Sequence, residues 1–413
     1  MNLKNQRKKL AFICTLFSLL FFVINSLKAQ YTWNSDSAFK SGSANSGRIW
    51  GYAFGDYYYK SHADTLSRGG NNQYTGIPQG RNAFQFRRIY LGYDYNISKK
   101  FSAELLLAAE DNFPAGNPPS STTASGDELA NNKLSFYIKL ANIRAKNIWK
   151  GTDLVVGQVS TPAFPLLSEK VWSYRSVERT ITDIRRTPSY DFGAALQGVF
   201  DPKTKNFGYN LMAGNGSSAK PEADNFKWFY GDVYGYFFDK KLVIDFYADY
   251  ERLNWVPSWH HSRQMIKGFI AYTTPALTIG VEGFINNLKN DDYALRKDSA
   301  TDILSVHASG VSAYIEGNIV PNKLRFFARY DTYNPNNKID NNTYIAYKGN
   351  TSSYNDPVTK EQFITAGLDF MPAKNVHFMP NVWYNKYINQ GPSPKYNSYD
   401  LVYRATFYFV FGK

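Results

Sequence analysis

Five histidines, His62, His260, His261, His307 and His377, are the first candidates for chemistry. None stands with a serine and an acid, or with further metal ligands, at the spacing a nucleophilic triad or a zinc site needs. His260 and His261 in NWVPSWHHSRQ form an adjacent pair, which without other ligands is a weak metal signal. Catalysis and a cofactor are not expected. The informative charges alternate with apolar residues. In KLRFFARYDTY, Arg325, Arg329 and Asp331 share one parity with Phe327, while Leu324, Phe326, Ala328 and Tyr330 share the other. The chemistry open to such a row is electrostatic: it holds a field along a wet surface and steers ions.

Those charges need an element with one wet face and one greasy face. A strand supplies it, because its side chains alternate. If the greasy face meets lipid, a basic residue at mid-bilayer on that face costs roughly 2–4 kcal/mol. The charges must therefore point inward. This reasoning places Arg88, Lys139, Arg325, Arg329 and Arg404 on the inner wall as basic residues. Glu104, Asp245, Asp249 and Glu316 join them as acids. Ile89, Leu91, Tyr93 and Tyr95 then face out, as do Leu134, Phe136, Ile138 and Leu140, and Leu242, Ile244 and Phe246. Arg87 falls on the outer parity, which calls for a bulge or a place at the membrane boundary. The closing stretch LVYRATFYFVFGK reads the same way, with Leu401, Tyr403, Ala405, Phe407, Phe409 and Phe411 outward and Arg404 inward.

The period-2 pattern recurs from residue 48 to the end and predicts sixteen strands. Seven connections are short and turn-like: ISKK, WKGT, DPKTK, DK, TP, VPNK and PAKN. The others are long and polar, such as SHADTLSRGGNNQYTGIPQG, and the two kinds alternate along the chain. Transmembrane meanders have this form, with short turns at one end and long loops at the other. An even strand number lets the last strand pair with the first, and hydrocarbon tolerates no open edge. The expected fold is an all-β, antiparallel transmembrane barrel of about sixteen strands. No blade motif or sandwich repeat competes. The polar average and the 32 tyrosines and 30 phenylalanines suit strands that hide an apolar face from a window average.

The connection TPAFPLLSEKVWSYRSVERTITDIRRTP, between the fifth and sixth strands, is long yet rich in aliphatic and aromatic residues. Leu167, Val171, Tyr174 and Val177 have helix-compatible spacing. A solvated loop has no need of them, whereas a segment folded back against the inner wall does. Its Glu178 and Asp183 are placed to oppose wall arginines, and Arg175, Arg179, Arg185 and Arg186 add positive potential.

Residues 1–29 have a basic start, an apolar run from Leu10 to Ile24 and Ala29 at a cleavage position, the layout of a signal peptide. Its loss would remove Cys14, the one cysteine, and lower the formal net charge from +13 to about +8. Residues 30–47 form a short polar lead-in and 48–413 the barrel. The basic surplus is scattered rather than clustered, which argues against a nucleic-acid partner.

The sixteen alternating strands, the alternation of turns and loops and the aromatic last strand resemble the general bacterial porins. That resemblance implies an inward-folded third loop, here 161–188, and a homotrimer in the bacterial outer membrane, in contact with lipid and lipopolysaccharide. FQFRRIYLGYDYNISKKFSAELLL also looks like the phosphate-selective porin group. The expected function is a water-filled channel for passive diffusion of small hydrophilic solutes and ions, with anions such as phosphate favoured. The alternative is a barrel with a structural, secretion-associated or receptor role and no open conductance.

Overall fold

A computed structural model describes residues 44–69, 72–110, 129–130, 133–185, 188–256, 259–340, 342–344, 358–389 and 399–412. The expected signal peptide, the lead-in up to residue 43 and Arg186 lie outside the described residues.

Sixteen antiparallel strands close into one barrel among the described residues. They begin with β1 (Ser46–His62), β2 (Asn82–Asn96) and β3 (Phe101–Glu110). A two-residue pair, β4 (Leu129–Ala130) and β5 (Lys133–Leu134), stands outside the barrel in the next connection. The wall continues with β6 (Tyr137–Trp149), β7 (Thr152–Ser160), β8 (Tyr190–Val199), β9 (Phe207–Gly214) and β10 (Trp228–Phe237). The longer strands follow: β11 (Leu242–Val256), β12 (Trp259–Thr273), β13 (Leu277–Leu295) and β14 (Thr301–Val320). The last four are β15 (Leu324–Asn334), β16 (Thr359–Ala373), β17 (Val376–Asn389) and β18 (Tyr399–Phe411). β18 pairs with β1, Phe411 opposite Gly51 and Arg404 opposite Tyr58, so no edge is left open.

The turns form where the residue types permit them. Asp201 opens DPKTK and accepts hydrogen bonds from the backbone N–H of Lys203 and the hydroxyl of Thr204. Gly151 in WKGT has φ +82°, a conformation a Cβ would strain.

Burial runs opposite to a soluble protein. Phe246, Ile266, Ile285 and Tyr403 are exposed on the outside, and Phe246 keeps 63% of its surface. An outer rim of Phe101, Trp149, Phe207, Phe237, Phe370 and Phe411 marks the short-turn end, as aromatic girdles mark a bilayer interface. The interior combines buried aromatic clusters with tightly paired charges. Lys267 meets Asp245 at 3.1 Å and Lys60 meets Asp400 at 2.7 Å, all four sealed from solvent. This barrel is an outer-membrane fold.

Two bulges correct the simple alternation. The β1–β2 register shifts between Phe54 and Gly55, opposite Arg88 and Phe86, so Arg87 is the extra residue. Arg87 and Arg88 are therefore both buried inside, while Phe86 upstream and Leu91 downstream stay exposed. On β6 the register shifts where Leu106 faces Leu140 and Leu107 faces Ile138. Lys139 and Leu140 then both turn inward. The expected outward face of Leu140 is overturned, because a bulge flips every later side chain.

Candidate functional site

The segment between β7 and β8 lies inside the barrel. Phe164, Trp172, Val177 and Ile181 are buried in it, and among its described residues two single-turn helices form, Ser168–Val171 and Ile181–Ile184. The longer helix implied by Leu167, Val171, Tyr174 and Val177 is absent. Tertiary contact replaces it: Trp172 packs on Tyr314 and Tyr174 on Phe327, with ring centroids 4.9 and 4.4 Å apart.

Wall arginines hold this segment by its backbone. Arg329 Nη1 donates to the carbonyl of Arg179 at 2.5 Å, and Arg404 Nη1 donates to that of Val177 at 2.9 Å. Arg329 also pairs with Asp331, and Arg404 with the Asn381 side chain. Both lie inside the barrel, but they meet protein rather than open water. Arg185 pairs with Glu361 of β16 at 3.0 Å and stacks on the Tyr333 ring. Glu178 accepts from Trp383 Nε1 at 2.7 Å. Asp183 pairs within the segment, with Arg175 at 2.9 Å and Arg179 at 3.8 Å. Arg175 also pairs with Glu169.

On the other walls, Asp245 belongs to the Lys267 pair, and Asp249 accepts from the Tyr247 hydroxyl and the Met265 N–H. Neither is joined to the inward segment by a described hydrogen bond. Arg88 and Lys139 converge on Glu110, the latter at 2.5 Å, and Tyr90 donates to the same carboxylate. The two bulges bring the cations there from either side of β3. Sequence reasoning missed Glu110 and Glu361, although each shares its strand's inward parity. Glu110 ends β3 beside a long connection and Glu361 lies near the start of β16, where parity alone carries least weight.

Between the inward segment and the short turns lies a cavity of about 1170 Å³. Glu104, Lys139, Arg175, Glu316 and Arg325 face it. Arg325 stands 3.6 Å from Glu316, which also accepts from Ser173 of the segment. Ten basic and five acidic side chains line the space, including turn residues Lys240 and Lys241. Narrow walls of low dielectric strengthen the positive field they make. Among the described residues no group of three His, Cys, Asp or Glu gathers as a metal site. His261 bonds Asp291.

No family model matches the chain, and no curated protein matches it in sequence. Solved structures do. The outer-membrane channel DcaP of Acinetobacter baumannii is 11% identical, with a TM-score of 0.57 over 90% of this chain and 99% of that one. OmpF of Salmonella typhi, solved with daunomycin, is 11% identical, with a TM-score of 0.54 over 89% and 98%. OmpT of Vibrio cholerae is 11% identical, with a TM-score of 0.53 over 90% and 99%. At such identity the likeness is one of fold.

Proposed function

We propose that the chain is a porin-like channel for passive diffusion of small hydrophilic solutes, with a preference for anions such as phosphate. The observation that carries this reading is the cavity of about 1170 Å³ inside a lipid-facing barrel, with twice as many basic as acidic side chains on its wall. Diffusing anions meet guanidinium and ammonium groups there without a metal or a covalent step, so no catalytic role is assigned. The fold shared with the outer-membrane channel DcaP adds weight. A homotrimer fits the same reading, and one OmpT structure is described as a trimer form. Lipopolysaccharide phosphates are a suitable partner for the basic surplus.

Planar-bilayer recording tests this. In a potassium chloride gradient the reversal potential should take the sign of anion preference, and phosphate should compete with chloride. Cation selectivity would remove the anion reading. The second reading, a structural, secretion-associated or receptor barrel, is favoured by how fully the inward segment fills the lumen above the cavity; silence that persists after the segments filling the lumen are loosened or shortened would establish it.

A further inference from the structure

The connection after β1 reads as an ordinary polar outer loop, yet its described residues, 63–69 and 72–81, also enter the lumen. Tyr74 and Ile77 are buried and cluster with Tyr58, Phe363, Trp383 and Val402. Lys60 Nζ donates to the Tyr74 carbonyl at 2.6 Å, and the Tyr74 hydroxyl donates to Asp56 at 3.0 Å. This segment therefore fills the side of the lumen walled by β1 and β16 to β18. The segment between β7 and β8 fills the opposite side, where Phe164 and Ile181 pack with Met265, Phe284 and Val306.

The two segments meet at two buried carboxylates. At the first, Gln73 Nε2 donates to Glu178 at 3.0 Å, and Glu178 also takes the Trp383 indole. Arg404 Nη1 reaches both segments there, Gln73 Oε1 at 3.4 Å and the Val177 carbonyl at 2.9 Å. At the second, Glu361 accepts from Asn72 at 2.7 Å and pairs with Arg185 at 3.0 Å. The space beside that junction is about 10 Å³, at the lower bound for one water. By contrast the large cavity lies on the turn side of the segments.

We propose that the described residues of the connections 63–81 and 161–189 form a single two-part plug that closes the channel toward its long-loop end, joined at Glu178 and Glu361. Passage of solute requires both junctions to part. This rests on the channel reading above and adds its regulation. Each junction holds a carboxylate against groups from both segments, so neutralising the two carboxylates removes the attraction that keeps the halves together. Water then has buried cations to solvate, and the halves separate.

The test is step conductance of the full chain, of Glu178→Gln/Glu361→Gln, and of a chain with residues 69–78 replaced by a short Gly-Ser linker. Heat-modifiable gel mobility checks folding of each, and the double substitution decides if the shortened chain does not fold. The expected result is low conductance in the unaltered chain and at least a tenfold rise in the variants. Equal, large steps in all folded chains would overturn the plug and leave the channel standing. Silence in all folded chains would overturn the channel reading, and the plug as its gate would fall with it.

Discussion

Arg404 shows what a charge does inside this barrel. Its guanidinium lies over the Tyr74 ring and bonds Asn381, Gln73 and the Val177 carbonyl. The pattern recurs at Arg185 over Tyr333, Arg329 over Trp172 and Lys139 over Tyr190. Each cation has a ring beneath it and an acceptor at its edge, and the cation–ring contact alone is worth about 0.5–2 kcal/mol. Glu110 is the most exposed to loss, because two buried cations and the Tyr90 hydroxyl depend on it. Breaking a buried pair from one side costs about 3–5 kcal/mol. Glu110→Gln should lose that much in urea unfolding from lipid vesicles, whereas Glu110→Asp should lose clearly less. Equal losses would mean that packing rather than charge sets the cost.

At the scale of the element, alternation was legible for most strands, and the exceptions have a common cause. Sixteen strands and seven short turns follow from period and turn chemistry, and the turn DPKTK shows how locally these are determined. The Lys203 N–H, then the Thr204 hydroxyl, hold the Asp201 carboxyl below the usual carboxylate range. A depressed carboxyl stabilises the turn above its ordinary pKa, and that contribution disappears as pH falls through the lowered value. Amide exchange at Lys203, corrected for intrinsic pH dependence, should therefore rise on acidification, and Asp201→Asn should abolish that rise. A bulge is not local in this sense, since it depends on which partner strand the residue faces. Deleting Arg87 should remove the bulge and restore strict alternation, with Phe84, Phe86, Leu91 and Tyr93 still outward and Arg88 still inward. That variant should assemble, as seen by retained heat-modifiable mobility, whereas deleting Tyr90, which puts the residues on either side of it out of phase, should not.

For the whole molecule, the outer belt and the filled interior are two consequences of one solvent. Hydrocarbon rewards apolar groups outside and forbids unpaired backbone, so closure of β18 on β1 is required. Ile266 lies near the middle of β12 on the lipid face. Ile266→Arg should therefore cost about 2–4 kcal/mol in bilayer folding, and a negligible cost would remove this face from the membrane.

Sequence alone determined the strand count, the closed barrel and the inward entry of the 161–188 connection, because alternation, turn residues and an apolar loop are local signals. Tertiary structure decided the rest. It alone placed the described residues of 63–81 in the lumen, since SHADTLSRGGNNQYTGIPQG is polar and the two apolar anchors, Tyr74 and Ile77, acquire meaning only beside Trp383 and Val402. It also decided that the arginines bind carbonyls and rings instead of water. The physical reason is that parity fixes which way a side chain points, whereas what it meets there depends on strands and loops hundreds of residues away.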